Sequence, residues 1–384
     1  MRIYVDNSAT TQVSEAALDA MLPCFREQFG NPSAIYSCGQ DAKKLMESSR
    51  ASIAGSIGAM SSEIFFCSGG TESDNWAIYS ACERNRGKGG HIISTAIEHS
   101  AVLRTLEKME TQGYEVTLLR PDARGQITPE QLEQAIRSDT ILVSIMAANN
   151  VVGTVLPIAR LCQAAHRRHI LFHTDAVQAA GHIPINVREL GVDMLSISAH
   201  KFHGPKGAGA LFSKIPRIPP PYITGGGQEK GARSGTENIP GIVGMAAALC
   251  GAADTMAEDA QYIAGLRDAL IERTLGIPGA QLTGDPENRL PGHASFVFDT
   301  GKDSAHLINM LNEEGICASS GSACSASSSE APHVLTAMGY GPVSRSALRI
   351  TLSKYNTMGE IDEITQKLPV IVAKLKNRKE PAIF

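Results

Sequence analysis

The sequence predicts an α/β protein: a large domain built on a mostly parallel sheet, joined to a smaller α+β domain. Two observations carry this. Short apolar runs alternate with amphipathic stretches long enough to be crossover helices, and the alternation resumes after one Pro- and Gly-rich interruption. The runs are EIFFCS (63–68), HIISTA (91–96), TILVSIM (140–146), HILFHTDA (169–176) and DMLSISA (193–199). Between them, PEQLEQAIR (129–137) and PIARLCQAAHR (157–167) have helical spacing. Strands and helices in this order argue for a sheet covered on both faces. The interruption, 214–235, is too rich in Pro and Gly for regular structure and reads as a long loop. IVGMAAALCGAADTM then reads as a helix, and the second alternating region follows. The expected division is 12–258 for the large domain and 259–384 with 1–11 for the small one.

At 384 residues and 43% hydrophobic content, the chain has material for a large core. A formal charge of -4 supplies no basic excess, so neither nucleic acid nor a membrane is an expected partner. The N-terminal MRIYVDNSATT lacks a signal-like apolar run, and no stretch nears the ~20 apolar residues of a spanning helix. A cytoplasmic location is expected. The eight cysteines (24, 38, 67, 82, 162, 250, 317 and 324) form no C-x-x-C pair and no zinc-like grouping, and read as reduced thiols. His166, His169, His173, His200 and His203 crowd one interval, but no carboxylate or cysteine completes a ligand set, so no metal is expected.

Three elements carry chemistry. In CSGGTESDNWAIY an apolar strand ends in Ser-Gly-Gly and a helix opens at Thr71. A phosphate fits there, against Gly70, Thr71 and the positive end of the helix dipole. A plain strand-to-helix turn capped by Thr71 fits equally well. In FHTDAVQ a strand ends at Asp175, with Gln178 three residues on; ligands of parallel sheets gather at such ends, although a simple cap is the commoner role. In SISAHKFHGPKG another run delivers Lys201 into a Gly/Pro turn. Desolvation there would lower the amine's pKa as a Schiff-base lysine requires, whereas most lysines merely lie at the surface. An anion cradle, a strand-end Asp and a strand-end Lys together match the needs of pyridoxal 5'-phosphate (PLP).

With these elements, YVDNSATT, FGNPSAIYSCGQDA, STAIEHSAV, AANNVVGTV, GGGQEKGARSGTENIP, SSGSACSASS and ALRITL occur in order. The chain thereby resembles the NifS/IscS-type cysteine desulfurases of the type I aminotransferase fold. The resemblance implies that Lys201 carries PLP and moves the substrate Cα proton, and that Asp175 pairs with the pyridine nitrogen. Gln178 and Asn150 bond the ring hydroxyl, and His99 stacks on the ring and relays protons as a catalytic residue. Gly70, Thr71, Ser198 and His200 hold the phosphate, with Thr236 reaching it from the other subunit of a homodimer. Arg349, with Asn150, takes the substrate carboxylate. Cys324, in the small, polar loop 319–329, receives the sulfur of L-cysteine as a persulfide, releases alanine, and passes the sulfur to an acceptor such as an iron–sulfur scaffold.

Two positions depart from the family pattern: Val151 stands where NNEIG has an acid, and Tyr36 where a histidine is common. Other readings remain open, namely a related PLP lyase such as a selenocysteine lyase or a cysteine desulfhydrase-like protein, and a non-catalytic sulfur-transfer scaffold.

Overall fold

The computed structural model describes residues 2–214, 221–321 and 332–377. The chain runs β1 (Ile3–Tyr4), α1 (Glu15–Arg26), α2 (Ser37–Ser56), β2 (Ile64–Cys67), α3 (Gly70–Arg84), β3 (His91–Thr95), α4 (Ser100–Glu110), β4 (Glu115–Leu119), α5 (Pro129–Ala135) and β5 (Thr140–Ser144). It continues through α6 (Ile158–His166), β6 (Leu171–Asp175), α7 (Val187–Leu190), β7 (Met194–Ser198), β8 (Gly209–Ser213), α8 (Ile239–Asp254) and α9 (Met256–Leu275). The last part holds β9 (Ala280–Leu282), β10 (His293–Phe298), α10 (Ser304–Glu313), β11 (Ile316–Cys317), α11 (His333–Ala337), β12 (Ala347–Thr351) and α12 (Met358–Asn377).

Seven strands form the main sheet in the order β2-β8-β7-β6-β5-β3-β4. All run parallel except β8, which is antiparallel to both β2 and β7. The carboxyl ends of β2, β3, β5, β6 and β7 therefore lie along one edge, where parallel sheets place their ligands. Every residue of β3, β5, β7 and β8 is buried, as layers on both faces require.

One face packs Phe66, Val143, Phe172 and Ile197 against α1, α2, α6 and α8. The other packs Phe65, Ile92 and Leu142 against Trp76 and Ile78 of α3 and Val102 and Leu106 of α4. Helix α8 carries small residues along much of its length, which lets α1 come close: a Cβ on Gly244 would lie 2.5 Å from the sulfur of Met21. No single helix is long and apolar enough to cross a membrane among the described residues.

A second core gathers Ile3 and Val5 with α9, α10, α12 and the antiparallel sheet β9-β10-β12, while β1 pairs with β11 in parallel. A small apolar cluster of Ile97, Val151 and Val152 with Val297, Val334 and Leu335 lies between the two cores.

The 214–235 segment includes a 3-10 turn at Glu229–Gly231, where Glu229 and Lys230 adopt positive φ. A buried ion pair holds that turn down. Arg50 of α2 donates from both terminal nitrogens to Glu229, each at 2.7 Å, and Glu229 also accepts from the Phe66 N–H. Breaking one side of a buried pair strands the other charge, so Arg50→Met is expected to cost about 3–5 kcal/mol, read as a lower urea midpoint. An unchanged midpoint would show that the pair contributes nothing.

Candidate active site

The strand-to-helix turn after β2 is built on two glycines. Gly69 caps α3 at φ 153°, and a Cβ on Gly70 would meet Val177 at 2.6 Å. Helix α3 begins at Gly70, so Thr71 is not its cap but lies in the first turn, where backbone N–H groups have no helical partner. Ser198, the last residue of β7, borders the same turn. The opening of a fifteen-residue helix beside a hydroxyl makes a cradle for a phosphate. Glu72 turns away from it, accepting the Ser68 N–H and pairing with Arg233 at 2.8 Å.

Asp175 ends β6 and is buried; its Oδ1 accepts the Val177 N–H at 2.8 Å. Its other oxygen takes no hydrogen bond among the described residues and lines the cavity with the rest of the carboxyl. Burial raises its pKa, opposed by His99 and Lys201. A protonated ring nitrogen would meet that oxygen and supply the missing countercharge. Behind it lies Asp74, also buried and also raised, by burial and then by Asp175; its Oδ1 is unpartnered, 3.7 Å from His173.

His99 caps α4 through Nδ1, which accepts the Ala101 N–H at 3.1 Å, so the neutral ring carries its proton at Nε2. Burial holds its pKa down, with Asp175 opposing and Lys201 reinforcing.

Lys201 follows β7 after a single 3-10 turn, and its Nζ donates to the carbonyls of Ser8 (2.6 Å) and Ala9 (2.9 Å). Burial and then the charge of Arg349 lower its pKa to about 8, against Asp175 and Asp6. Gly70, Thr71, His99, Asn150, Asp175, Gln178, Ser198, His200, Lys201 and Arg349 all border one cavity of about 230 Å³. Phosphate cradle, buried carboxylate and low-pKa amine fit PLP.

The aminotransferase class-V family model matches residues 3–364. The chain belongs to the class-V aminotransferase family. It is 47% identical over 376 residues to a protein named cysteine desulfurase IscS from Methanosarcina thermophila, covering 98% of this chain and 93% of that one. The solved structure of a NifS-like protein superposes with a TM-score of 0.92 at 40% identity, over 97% of this chain and all of the other. A structure described as SspA in complex with cysteine gives 0.81 at 35% identity, over 93% of this chain and all of that one.

The cofactor of this class-V aminotransferase is PLP, and if Lys201 is the lysine that takes it, the state of that amine would set how readily the apoenzyme accepts it. Only the neutral amine condenses with an aldehyde. At pH 7 about a tenth of a group with pKa near 8 is neutral, against roughly three in ten thousand at an ordinary lysine value. Reconstitution is therefore expected to quicken as pH rises to about 8 and level off beyond it, followed as returning visible absorbance. A rate still climbing tenfold per unit between pH 9 and 10 would contradict the lowered value.

Other site residues are placed less directly. Gln178 spends its Nε2 on the Ser8 carbonyl at 3.0 Å, and the Asn150 carbonyl accepts from Ser8 Oγ and Arg349 Nη1. His200 contacts Thr10 Oγ1 at 3.2 Å, and burial pushes its pKa down to about 4. Val151 lines the cavity and is buried in the apolar cluster between the cores, where a carboxylate would be poorly solvated. Tyr36 is exposed, just before α2. Thr236 does not reach this cavity within its own chain; it lines a separate one of about 160 Å³ with Ser68, Gly207 and Arg233. Cys324 lies outside the described residues, as does most of 319–329.

Several cavity residues escaped the motif reading. Ser8 and Ala9 act through backbone carbonyls, which leave no residue-type signal. Asp74 carries no signal of its own within the TESDN motif, and His333, which holds the Glu98 carbonyl at 3.0 Å, follows the serine-rich stretch. Among the described residues, no cluster of three or more His, Cys, Asp or Glu could hold a metal ion.

Proposed function

We propose that this enzyme is a cysteine desulfurase, which converts L-cysteine to L-alanine and leaves the sulfur on Cys324 as a persulfide for iron–sulfur cluster assembly or another thiolation. The observation that carries the reading is the gathering of Lys201, Asp175, the α3 cradle and Arg349 around one cavity. Bound PLP supplies an electron sink for the Cα carbon. Arg349 and Asn150 orient the substrate by its carboxylate. Lys201, in its neutral form, takes the Cα proton, and a pKa lowered to about 8 makes that form accessible. The Cys324 thiolate attacks the substrate sulfur; the Cβ–S bond breaks, Cys324 keeps the sulfur, Cβ takes up a proton, and Lys201 returns its proton to Cα to complete alanine. Cysteine and one thiol thus become alanine and one persulfide, with no other reactant.

The reading includes a cytoplasmic homodimer in which Thr236 meets the phosphate of the other subunit, and a sulfur-acceptor protein such as an iron–sulfur scaffold. Cys324→Ser holoenzyme tests its central step. With L-cysteine its visible spectrum should shift as in wild type, while alanine formation falls at least about a hundredfold and no protein persulfide accumulates. Alanine produced at the wild-type rate would remove Cys324 from the mechanism.

A further inference from the structure

The two cations of the active site are held by one short stretch of chain near the N-terminus. Lys201 donates to the carbonyls of Ser8 and Ala9, and Arg349 donates from Nη2 to Asp6 Oδ1 at 2.7 Å. The rest of Arg349 is also engaged. Nη1 donates to the carbonyls of Asn150 (2.8 Å) and Gly321 (3.2 Å), and Nη2 also to Ser319 Oγ (3.2 Å). Its Nε is buried without an acceptor. Of the five N–H groups of a guanidinium, four are taken, and only one of the acceptors, Asp6, is charged. The side chain of Arg349 is 3% exposed and that of Asp6 19%.

We infer that Asp6 is an internal competitor for the substrate carboxylate: it neutralises Arg349 between turnovers and thereby weakens amino-acid binding at this site. The inference rests on the reading above, in which Arg349 receives that carboxylate. An arriving amino acid meets a neutral pair, not a bare cation. Either its carboxylate displaces Asp6, giving up the 2.7 Å contact, or it becomes a second negative charge on one guanidinium. Both courses leave the bound state weaker than it would be on an unpaired arginine. The same pairing spares the protein a lone buried cation while the site is empty. Asp6 touches neither substrate nor cofactor in this account; it acts through Arg349 and sets affinity.

Linkage gives the sign. Removing the charge of Asp6 raises the free energy of the empty enzyme more than that of the carboxylate-bound enzyme, so binding tightens while the empty protein becomes less stable. The experiment titrates holoenzyme with L-alanine, and with ethylamine, which is alanine without its carboxylate, reading the visible spectrum. In Asp6→Asn, alanine is expected to bind about tenfold tighter with ethylamine unchanged. The variant melts below wild type, and saturating alanine raises its melting temperature by more than it raises that of wild type. Asp6→Ser should behave the same way and serves if the asparagine variant folds poorly. In an Arg349→Gln background, adding Asp6→Asn should bring no gain. Unchanged or weaker alanine binding in the Asp6 variants would overturn the inference, as would a gain that persists without Arg349. If wild-type holoenzyme bound no alanine at all, the desulfurase reading would fall first and this inference with it.

Discussion

Lys201→Ala is expected to remove the visible absorbance of the bound cofactor and to lower turnover by at least about 10⁴-fold. The size follows from two losses at one atom. In the proposed mechanism Nζ is both the point of covalent attachment and the base that moves the Cα proton. No other lysine lines the cavity among the described residues. The neighbouring His99 cannot stand in as an amine, and its Nδ1 is occupied by the Ala101 N–H. The cradle at Gly70 and Thr71 and the carboxyl of Asp175 remain in the variant, so it should still bind PLP without a covalent bond. Supplied methylamine should then recover part of the proton transfer. A purified variant that keeps the wild-type spectrum would mean that another lysine holds the cofactor.

What the sequence made legible was whatever ends a buried strand. The strands in the runs 63–68, 169–176 and 193–199 open apolar and stay largely buried up to the point where the sheet stops, so Asp175 and Lys201 stand out as charged residues at a strand's carboxyl end or within the turn beyond it. Strand β4 leaves little mark in the sequence because it is the sheet edge and mostly uncovered, so EVTLL shows no sustained apolar run. Strand β8, GALFS, is wholly buried, but it opens on a glycine packed against Gly69, and it follows the Lys201 turn without an intervening helix. Its antiparallel course is what makes the sheet mostly parallel instead of wholly so.

The candidate site shows the same division. Side chains chosen for chemistry stood out by type and place, whereas the ring of acceptors around Lys201 and Arg349 did not. Ser8 and Ala9 contribute only carbonyl oxygens, and Asp6 lies 343 positions from the arginine it neutralises. Nothing in YVDNSATT states that its aspartate faces a guanidinium on β12. That fact is made by the pairing of β1 with β11, the bridge from Asp6 to Thr351 and the packing of Ile3 and Val5 into the second core.

Arg349→Gln is the second large effect expected. A buried, charge-assisted contact to a carboxylate is worth about 2–5 kcal/mol on truncation, which corresponds to a 30- to several-thousand-fold rise in KM for L-cysteine. The turnover number at saturation should change far less, because in the proposed role Arg349 would hold the carboxylate alike before and during proton transfer, and uniform binding of this kind raises affinity without lowering the chemical barrier. Two further observables separate loss of a carboxylate anchor from general damage. Ethylamine should perturb the cofactor spectrum of the variant as it does that of wild type, whereas L-alanine should no longer do so at comparable concentration. Lys201 should also lose the cation that helps to lower its pKa, since Arg349 is the second contributor after burial, so reconstitution of the variant apoenzyme should level off at a higher pH than in wild type. A KM for cysteine within a few-fold of wild type would mean that the substrate carboxylate binds elsewhere, and would return Arg349 to the role of a structural link among Asp6, Asn150 and Gly321.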